Sequence, residues 1–308
     1  VTSPLSHKLD TVPVAIIFGL IAAFIWGVWP VASALGINQS LSALDLTALR
    51  FSVAGAILLP LFWKNHWGFF GLGNLSWRAA LLVVTGAGLP YVLAGTGGLE
   101  FAPAGHFGII TPSTQLATST IGSWLILKEK QSAVRWTAVG IILCGVFLTG
   151  WEGLQGRGED TWIGDLMFVT AGILWAIFTL SARYWSVETF HAAALVTVWS
   201  SIVFFPVYLL FFESGIPEAS LSEIVFQGVV QGLLTAVVAI ILYTRAIAII
   251  GAGRSAVFPT LVPVTTIVLA IPILGEYPTD IEIVGVVIVS IGMVLALGLL
   301  DRFIPRGT

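Results

Sequence analysis

Long apolar stretches alternate with short polar punctuation along the whole 308-residue chain, and most charged residues fall in the punctuation. A bilayer core about 30 Å thick needs roughly 20 apolar helical residues, because backbone groups in lipid must bond within their own helix. Nothing ionisable lies between Asp10 and Asp45, which predicts a first spanning helix at 13–36. A second, at 44–63, is the weakest, because Asp45 and Arg50 crowd its start. Arg78 and Glu100 bracket the third span, and the fourth covers 103–127 with His106 near its start. Arg135 and Glu152 bracket the fifth; Asp165 and Arg183, the sixth. The last four cover 192–212, 224–248, 255–275 and 283–300, delimited by Glu213, Glu223, Arg245, Arg254, Glu276, Glu282 and Asp301. The pattern predicts an all-α membrane protein with ten transmembrane helices.

Composition agrees. The chain is 57% hydrophobic and 9% charged, whereas an ordinary soluble domain is about 25% charged. So few charges cannot cover a water-facing surface of this size. The net charge of −3 gives no sign of a nucleic-acid partner. The single cysteine, Cys144, excludes an internal disulfide or thiolate metal cluster. The first apolar run is too long for the hydrophobic part of a cleaved leader, so it reads as a spanning helix.

Positive charge accumulates on the cytoplasmic side of membrane proteins. With a cytoplasmic N-terminus, Lys8, Lys64, Arg78, Lys128, Lys130, Arg135, Arg183, Arg302 and Arg306 lie inside, as do Arg245 and Arg254. Outside remain the cations Arg50 and Arg157, against Glu100, Glu152, Glu159, Asp160, Glu213, Glu218, Glu223, Glu276, Asp280 and Glu282. Both termini are therefore expected in the cytoplasm.

A shift of 147 residues superposes Pro112 on Pro259, Thr118 on Thr265, Glu129 on Glu276 and Gly145 on Gly292; a shift of 149 lays Trp26 on Trp175. The loop after helix 4 carries Lys128, Lys130 and Arg135, while its counterpart after helix 9 carries Glu276, Asp280 and Glu282. Equivalent loops of opposite charge belong on opposite membrane faces. An odd number of helices per half, five, requires that inversion. The expected halves are 1–155, helices 1 to 5, and 156–308, helices 6 to 10.

The segments ITPSTQLATSTIGSWLILKEK (110–130) and FPTLVPVTTIVLAIPILGEY (258–277) resemble the paired signature of the drug/metabolite transporter superfamily, EamA type. That signature has a proline early in helix 4 or 9 and a Leu-x-Glu at its end. The first half departs from the usual Gly-Glu, having Lys128-Glu129. The aromatic first helix, AAFIWGVWPVASA (22–34), is most similar to the bacterial aromatic amino-acid exporters. The resemblance implies a ten-helix transporter of the bacterial inner membrane, a monomer or weak homodimer, exporting aromatic or other neutral amino acids.

Inverted repeats place a solute site near the membrane midplane beside kinked helices. Pro30, Pro90, Pro112, Pro259, Pro263 and Pro272 put such kinks in helices 1, 3, 4 and 9. Helices 5 and 10 lack proline and read as outlying supports, packed through Gly140 and Cys144 and through Gly292 and Ala296. Trp26, Trp29 and Ser33 share a face of helix 1, and Trp175 and Thr179 repeat the arrangement in helix 6. An indole offers an N–H and a π face to a cation or an aromatic ring, and equally serves plain helix packing. Thr111, Gln115 and Thr118 line helix 4; Gln227, Gln231 and Thr235 form a ladder on helix 8. Buried amides must meet another helix, water or solute. Tyr91 and Tyr243 add hydroxyl-bearing rings. The candidate substrate set is Trp26, Trp29, Tyr91, Thr111, Gln115, Trp175, Thr179, Gln231 and Tyr243. It suits a neutral or zwitterionic solute with an apolar side chain.

By the same reading no Asp, Glu, Lys or Arg occupies mid-span, which argues against a membrane-embedded proton relay. The small multidrug-resistance relatives implied by the resemblance use a mid-helix glutamate; helix 1 here offers Trp26. Facilitated diffusion, or coupling by another route, is therefore expected. His106 reads as a packed or solvated histidine rather than a titratable gate. Arg245 and Arg254 read mainly as topology signals. The stretch Gly251 to Ala256 matches G-x-G-x-x-A, but about 25 apolar residues precede it where a dinucleotide fold requires a short strand. No enzyme motif, cofactor site or metal site is recognisable. The competing function is efflux of drugs or quaternary cations, which usually calls for a membrane-embedded acid.

Overall fold

A computed structural model describes residues 11–64, 67–68, 70–154, 160–255 and 257–297. Asp10, Lys8, Arg157, Glu159, Asp301, Arg302, Arg306 and the junction between residues 155 and 156 lie outside the described residues, as do the side chains of Lys64 and Glu152. Among the described residues the chain folds into ten main helical runs and no strand. They are α1 (Val12–Gln39), α2 (Ala43–Lys64), α3 (Trp77–Gly98), α4 (Ala104–Leu125), α5 (Ala133–Leu154), α6 (Thr161–Tyr184), α7 (Thr189–Phe211), α8 (Leu221–Ile250), α9 (Phe258–Leu274) and α10 (Asp280–Ala296). Seven of them, α1, α2, α3, α5, α6, α7 and α8, are long and apolar enough to cross a membrane, and α9 is a shorter apolar helix. The outside of the bundle carries large apolar side chains such as Leu81, Leu209, Leu210 and Phe211. Water could not solvate so continuous an apolar surface; lipid can.

Local chemistry sets the helix ends. Ser76 and Ser220 accept from the backbone of Ala79 and Glu223 at the starts of α3 and α8, and Glu188 caps α7. Thr279 and Glu282 form a reciprocal capping box at the start of α10. Three runs are interrupted. α3 breaks at Gly88 into Trp77–Ala87 and Leu89–Gly98. α8 widens into a π-helix over Val229–Val238, and α9 opens with a 3-10 turn at Phe258–Leu261. Prolines lie inside α1, α4 and α9 as expected, but Pro60 and Pro206 also lie inside α2 and α7. Proline alone therefore does not single out the helices of a site.

Glycines set the helix crossings, because a bare Cα lets two backbones touch. A Cβ on Gly86 of α3 would lie 2.5 Å from the Phe178 nitrogen of α6, and one on Gly172 of α6 would lie 2.7 Å from the Thr111 carbonyl oxygen of α4. The α5–α10 crossing runs through Gly145, Gly285 and Gly292, where added Cβ atoms would meet Val289, Thr149 and Ile142 at 2.6 Å. The expected contact through Gly140 and Cys144 is absent: Gly140 faces open space and Cys144 is exposed. That face of α5 is turned away from α10. Accordingly, Gly86→Ala should destabilise the detergent-solubilised protein by about 1–3 kcal/mol through overpacking, while Gly140→Ala should leave it unchanged or slightly stabilised. Thermal unfolding of the two variants measures the difference.

Helices α4 and α9 end alike. Glu129 N–H donates to the Ser123 carbonyl at 3.1 Å, and Glu276 N–H to the Ala270 carbonyl at 3.4 Å, the same six-residue loop 147 positions apart. The residue before each glutamate is left-handed: Lys128 with φ 57° and Gly275 with φ 70°. Lysine at such a position costs about 1–2 kcal/mol relative to glycine. Lys128→Gly should therefore raise stability by about 1 kcal/mol, read as a higher melting temperature.

Candidate functional site

Helix α1 lies between α8 and α9, and its polar face is closed by α8. The Trp29 indole N–H donates to Gln231 Oε1, and Gln231 Nε2 donates to Ser33 Oγ at 2.8 Å and to Gln227 Oε1 at 3.2 Å. Gln227 Nε2 donates to the Ala32 carbonyl at 2.6 Å, and the Ser33 hydroxyl to the Trp29 carbonyl at 2.8 Å. Gln227 and Gln231 have no exposed surface. The glutamine ladder thus takes its helix-bonding role, and both amide hydrogens of Gln231 are used within it. Phe107 of α4 meets the Trp29 ring edge-on at 4.9 Å, and the Arg50 guanidinium lies 5.7 Å from its centroid.

The other candidates sort by whether their polar atoms are used. The Thr111 hydroxyl donates to the Phe168 carbonyl of α6 at 3.1 Å, pinning the α4–α6 crossing. Thr179 is exposed and donates to the Trp175 carbonyl of its own helix at 2.9 Å. Both are committed. Trp26 packs edge-on against Tyr243 at 5.1 Å, joining α1 to α8, and Tyr91 packs against Trp175 at 4.7 Å, joining α3 to α6. These four rings and Gln115 are only half-buried, and their N–H, hydroxyl and amide groups bond to nothing among the described residues. Among the described residues no ring contact or hydrogen bond joins the Trp26–Tyr243 pair to the Tyr91–Trp175 pair. Arg50, between Trp29 and Tyr91, is the group within electrostatic reach of the second pair.

Three features were missed by sequence reasoning. Arg50 was placed at an outer helix end, yet α2 begins at Ala43, so Arg50 sits about two turns inside it and is only 8% exposed. The expectation that no Asp, Glu, Lys or Arg reaches the middle of a span is corrected by that position. The signal was available: a lone arginine within an apolar run is a functional candidate by default. Second, Asp45 is fully buried and accepts from Ser42 N–H at 2.8 Å, the Ser42 hydroxyl at 2.7 Å and Gly215 N–H at 3.2 Å. The Tyr208 hydroxyl and Ser214 hydroxyl complete its shell. Nothing in the sequence pairs position 45 with a tyrosine 163 residues away.

The third is His106. It is 4% exposed, with Nδ1 2.7 Å from Asp165 Oδ1 of α6 and Nε2 2.6 Å from Glu282 Oε1 of α10. Two contacts that short require two protons, and a neutral imidazole carries one. The cluster therefore holds an additional proton, as imidazolium or as a carboxylic acid. Glu276, in the α9–α10 connection, accepts from Ala104 N–H at 3.2 Å and Gly105 N–H at 3.3 Å at the start of α4. Burial holds its carboxyl above the usual glutamate range, against those two hydrogen bonds. Reading His106 as merely packed missed a bridge among three helices.

These networks gather at one end of the bundle. At the other, Arg183 makes a bidentate ion pair with Glu129, His191 Nε2 lies 2.7 Å from the Gly71 carbonyl, and the Trp199 N–H donates to the Phe70 carbonyl at 3.0 Å.

A bundle of apolar helices with an aromatic and partly unbonded polar interior is that of a polytopic membrane transporter. The chain belongs to the EamA-like transporter family, whose model matches residues 13–151 and again 162–298. It is 26% identical over 257 residues to the uncharacterized transporter YetK of Bacillus subtilis, covering 80% of this chain and 76% of that one. It is 24% identical over 199 residues to the uncharacterized transporter sll1319 of a Synechocystis species, covering 64% and 60%. An uncharacterized transporter of Archaeoglobus fulgidus is 22% identical over 263 residues, covering 83% and 88%. A solved crystal structure superposes with a TM-score of 0.63 at 18% identity, over 94% of this chain and 98% of that one, a likeness of fold.

Proposed function

We propose that the protein exports small amphipathic metabolites, foremost aromatic and other neutral amino acids, across the bacterial inner membrane by alternating access. In this reading all ten helical runs cross the bilayer, both termini are cytoplasmic, and the halves 1–155 and 156–308 are inverted copies. The matching ends of α4 and α9 support the inversion. Glu129 follows the C-terminal end of α4, whereas Glu276 binds the N-terminal amides of that same helix. Equivalent caps thus serve opposite ends of the bundle. The observation that carries the substrate class is the set of half-buried rings and one amide with unused polar atoms: Trp26, Tyr91, Gln115, Trp175 and Tyr243. Each ring offers a flat apolar face and a hydrogen bond, and Gln115 adds an amide, as an amphipathic solute requires. Trp29, Thr111, Thr179 and Gln231 support this set, their polar groups being spent on neighbouring helices. Export as the direction comes from the family resemblance.

Uptake of labelled Phe, Trp and Thr into proteoliposomes tests the reading, and flux no higher than in empty vesicles for all three would end it. Trp26→Ala and Gln115→Ala should each lower that flux about tenfold or more while expression is kept, since each removes a contact of about 1–2 kcal/mol. Efflux of drugs or quaternary cations draws on the same aromatic faces. The Arg50 charge beside Trp29 opposes it.

A further inference from the structure

Arg50 presents an arrangement that proteins rarely tolerate without a reason. A guanidinium carries five N–H donors, stays protonated, and is costly to bury unless an acid or several carbonyls answer it. Arg50 is 8% exposed and its donors meet no acceptor among the described residues. Its recorded contact is with a ring, Trp29, at 5.7 Å.

No acid among the described residues hydrogen-bonds or ion-pairs with Arg50. Asp45, on the same helix, is filled by the hydrogen bonds of Ser42, Gly215, Tyr208 and Ser214. Glu100 accepts from Ala43 N–H at 2.9 Å, Asp165 and Glu282 hold His106, and Glu276 holds the start of α4. Among the described residues, nothing therefore neutralises the buried Arg50 charge. Around it stand the Trp29 face, the Phe107 edge packed against that ring, and Tyr91 leaning on Trp175 at 4.7 Å. The Trp29 N–H is turned away toward Gln231, so this ring offers only its π surface.

We infer that Arg50 is the anion-recognition residue of the transport site, taking a solute carboxylate in its guanidinium fork while the surrounding rings hold the solute's apolar or aromatic body. A planar carboxylate matches the fork as a bidentate pair. A phosphate dianion would need a second cation, and a cationic drug would be repelled. The inference rests on the carrier reading and narrows it to carboxylates, with or without an amino group.

Binding can be measured apart from transport. The purified protein in nanodiscs is titrated with 3-phenylpropanoate, phenylalanine and phenethylamine, which share the ring and differ in charge. Both carboxylates are expected to bind, and phenethylamine at least tenfold more weakly. Arg50→Lys, which keeps the charge and loses the fork, should weaken 3-phenylpropanoate about tenfold, and Arg50→Met up to about a hundredfold. Arg50→Met should also melt at or above the wild-type temperature, because it removes an unanswered buried charge. A melting point several degrees lower would mark a structural arginine and overturn the inference. So would unchanged affinity in Arg50→Met, no binding of either carboxylate to the wild type, or tighter binding of phenethylamine. Those results would leave the carrier reading intact, since flux through wild-type vesicles decides that separately.

Discussion

His106→Leu should lower the stability of the protein by about 3–5 kcal/mol at neutral pH, the usual cost of removing one member of a buried ionic cluster. The histidine stands between Asp165 and Glu282, whose side chains are 12% and 14% exposed. Without it, two buried carboxylates face one another across the α6–α10 gap with no proton shared between them. One must then take up a proton for the fold to persist. The variant should therefore regain stability as pH falls through the range in which buried carboxylates protonate, relative to its own value at neutral pH. His106→Gln, which keeps one donor, should fall between variant and wild type. Melting curves across pH for the three proteins measure this ordering, and coincident curves would mean that the bridge contributes nothing to closing that end.

Asp45→Asn is expected to have the second largest effect, a loss of about 3 kcal/mol. The replacement is nearly isosteric, so packing is preserved. Its chemistry is reversed: an amide brings donors to a position where Ser42, Gly215, Tyr208 and Ser214 already direct theirs. At least one buried donor is left without an acceptor. The loss should appear first at the α2–α7 end, as faster hydrogen exchange at Gly215 and Ile216, before global unfolding. Uniform exchange along α2 and α7 in the variant would contradict the assignment.

The helical architecture was legible because hydropathy reports on lipid contact directly. The first helix, expected at 13–36, is Val12–Gln39, and the tenth, expected at 283–300, begins at Asp280. The errors share one physical cause. Charges were read as marks of helix ends, which holds only when water is the cheapest place for them. Asp45 stands in the first turn of α2, as expected, but is dry because hydroxyls and amides replace water there. An imidazole lets Asp165 lie a turn inside α6, and the partners Tyr208 and His106 are distant in sequence. For the site, helix faces were predictable and partners were not. Gln227 and Gln231 were recognised as groups that must bond to something, and α1 supplied it. Thr179 was placed on the Trp175 face by spacing, but its hydroxyl folds back on its own helix. Arg50 was left out of the candidate set because its charge was read as marking a helix end, whereas it lies about two turns inside α2 and over the Trp29 ring.

The break in α3 has a mechanical consequence. At Gly88 the helix stops and restarts, with Leu89 N–H donating to Ser200 Oγ of α7 at 3.0 Å; a Cβ at Gly88 would lie 2.3 Å from that oxygen. Both halves of α3 are wedged against α6, the first through Gly86 and the second through Gly98, where a Cβ would lie 2.4 Å from the Phe168 ring. Tyr91 thus sits between two clamps on one helix, and the joint sets the angle at which it meets Trp175 rather than freeing it to swing.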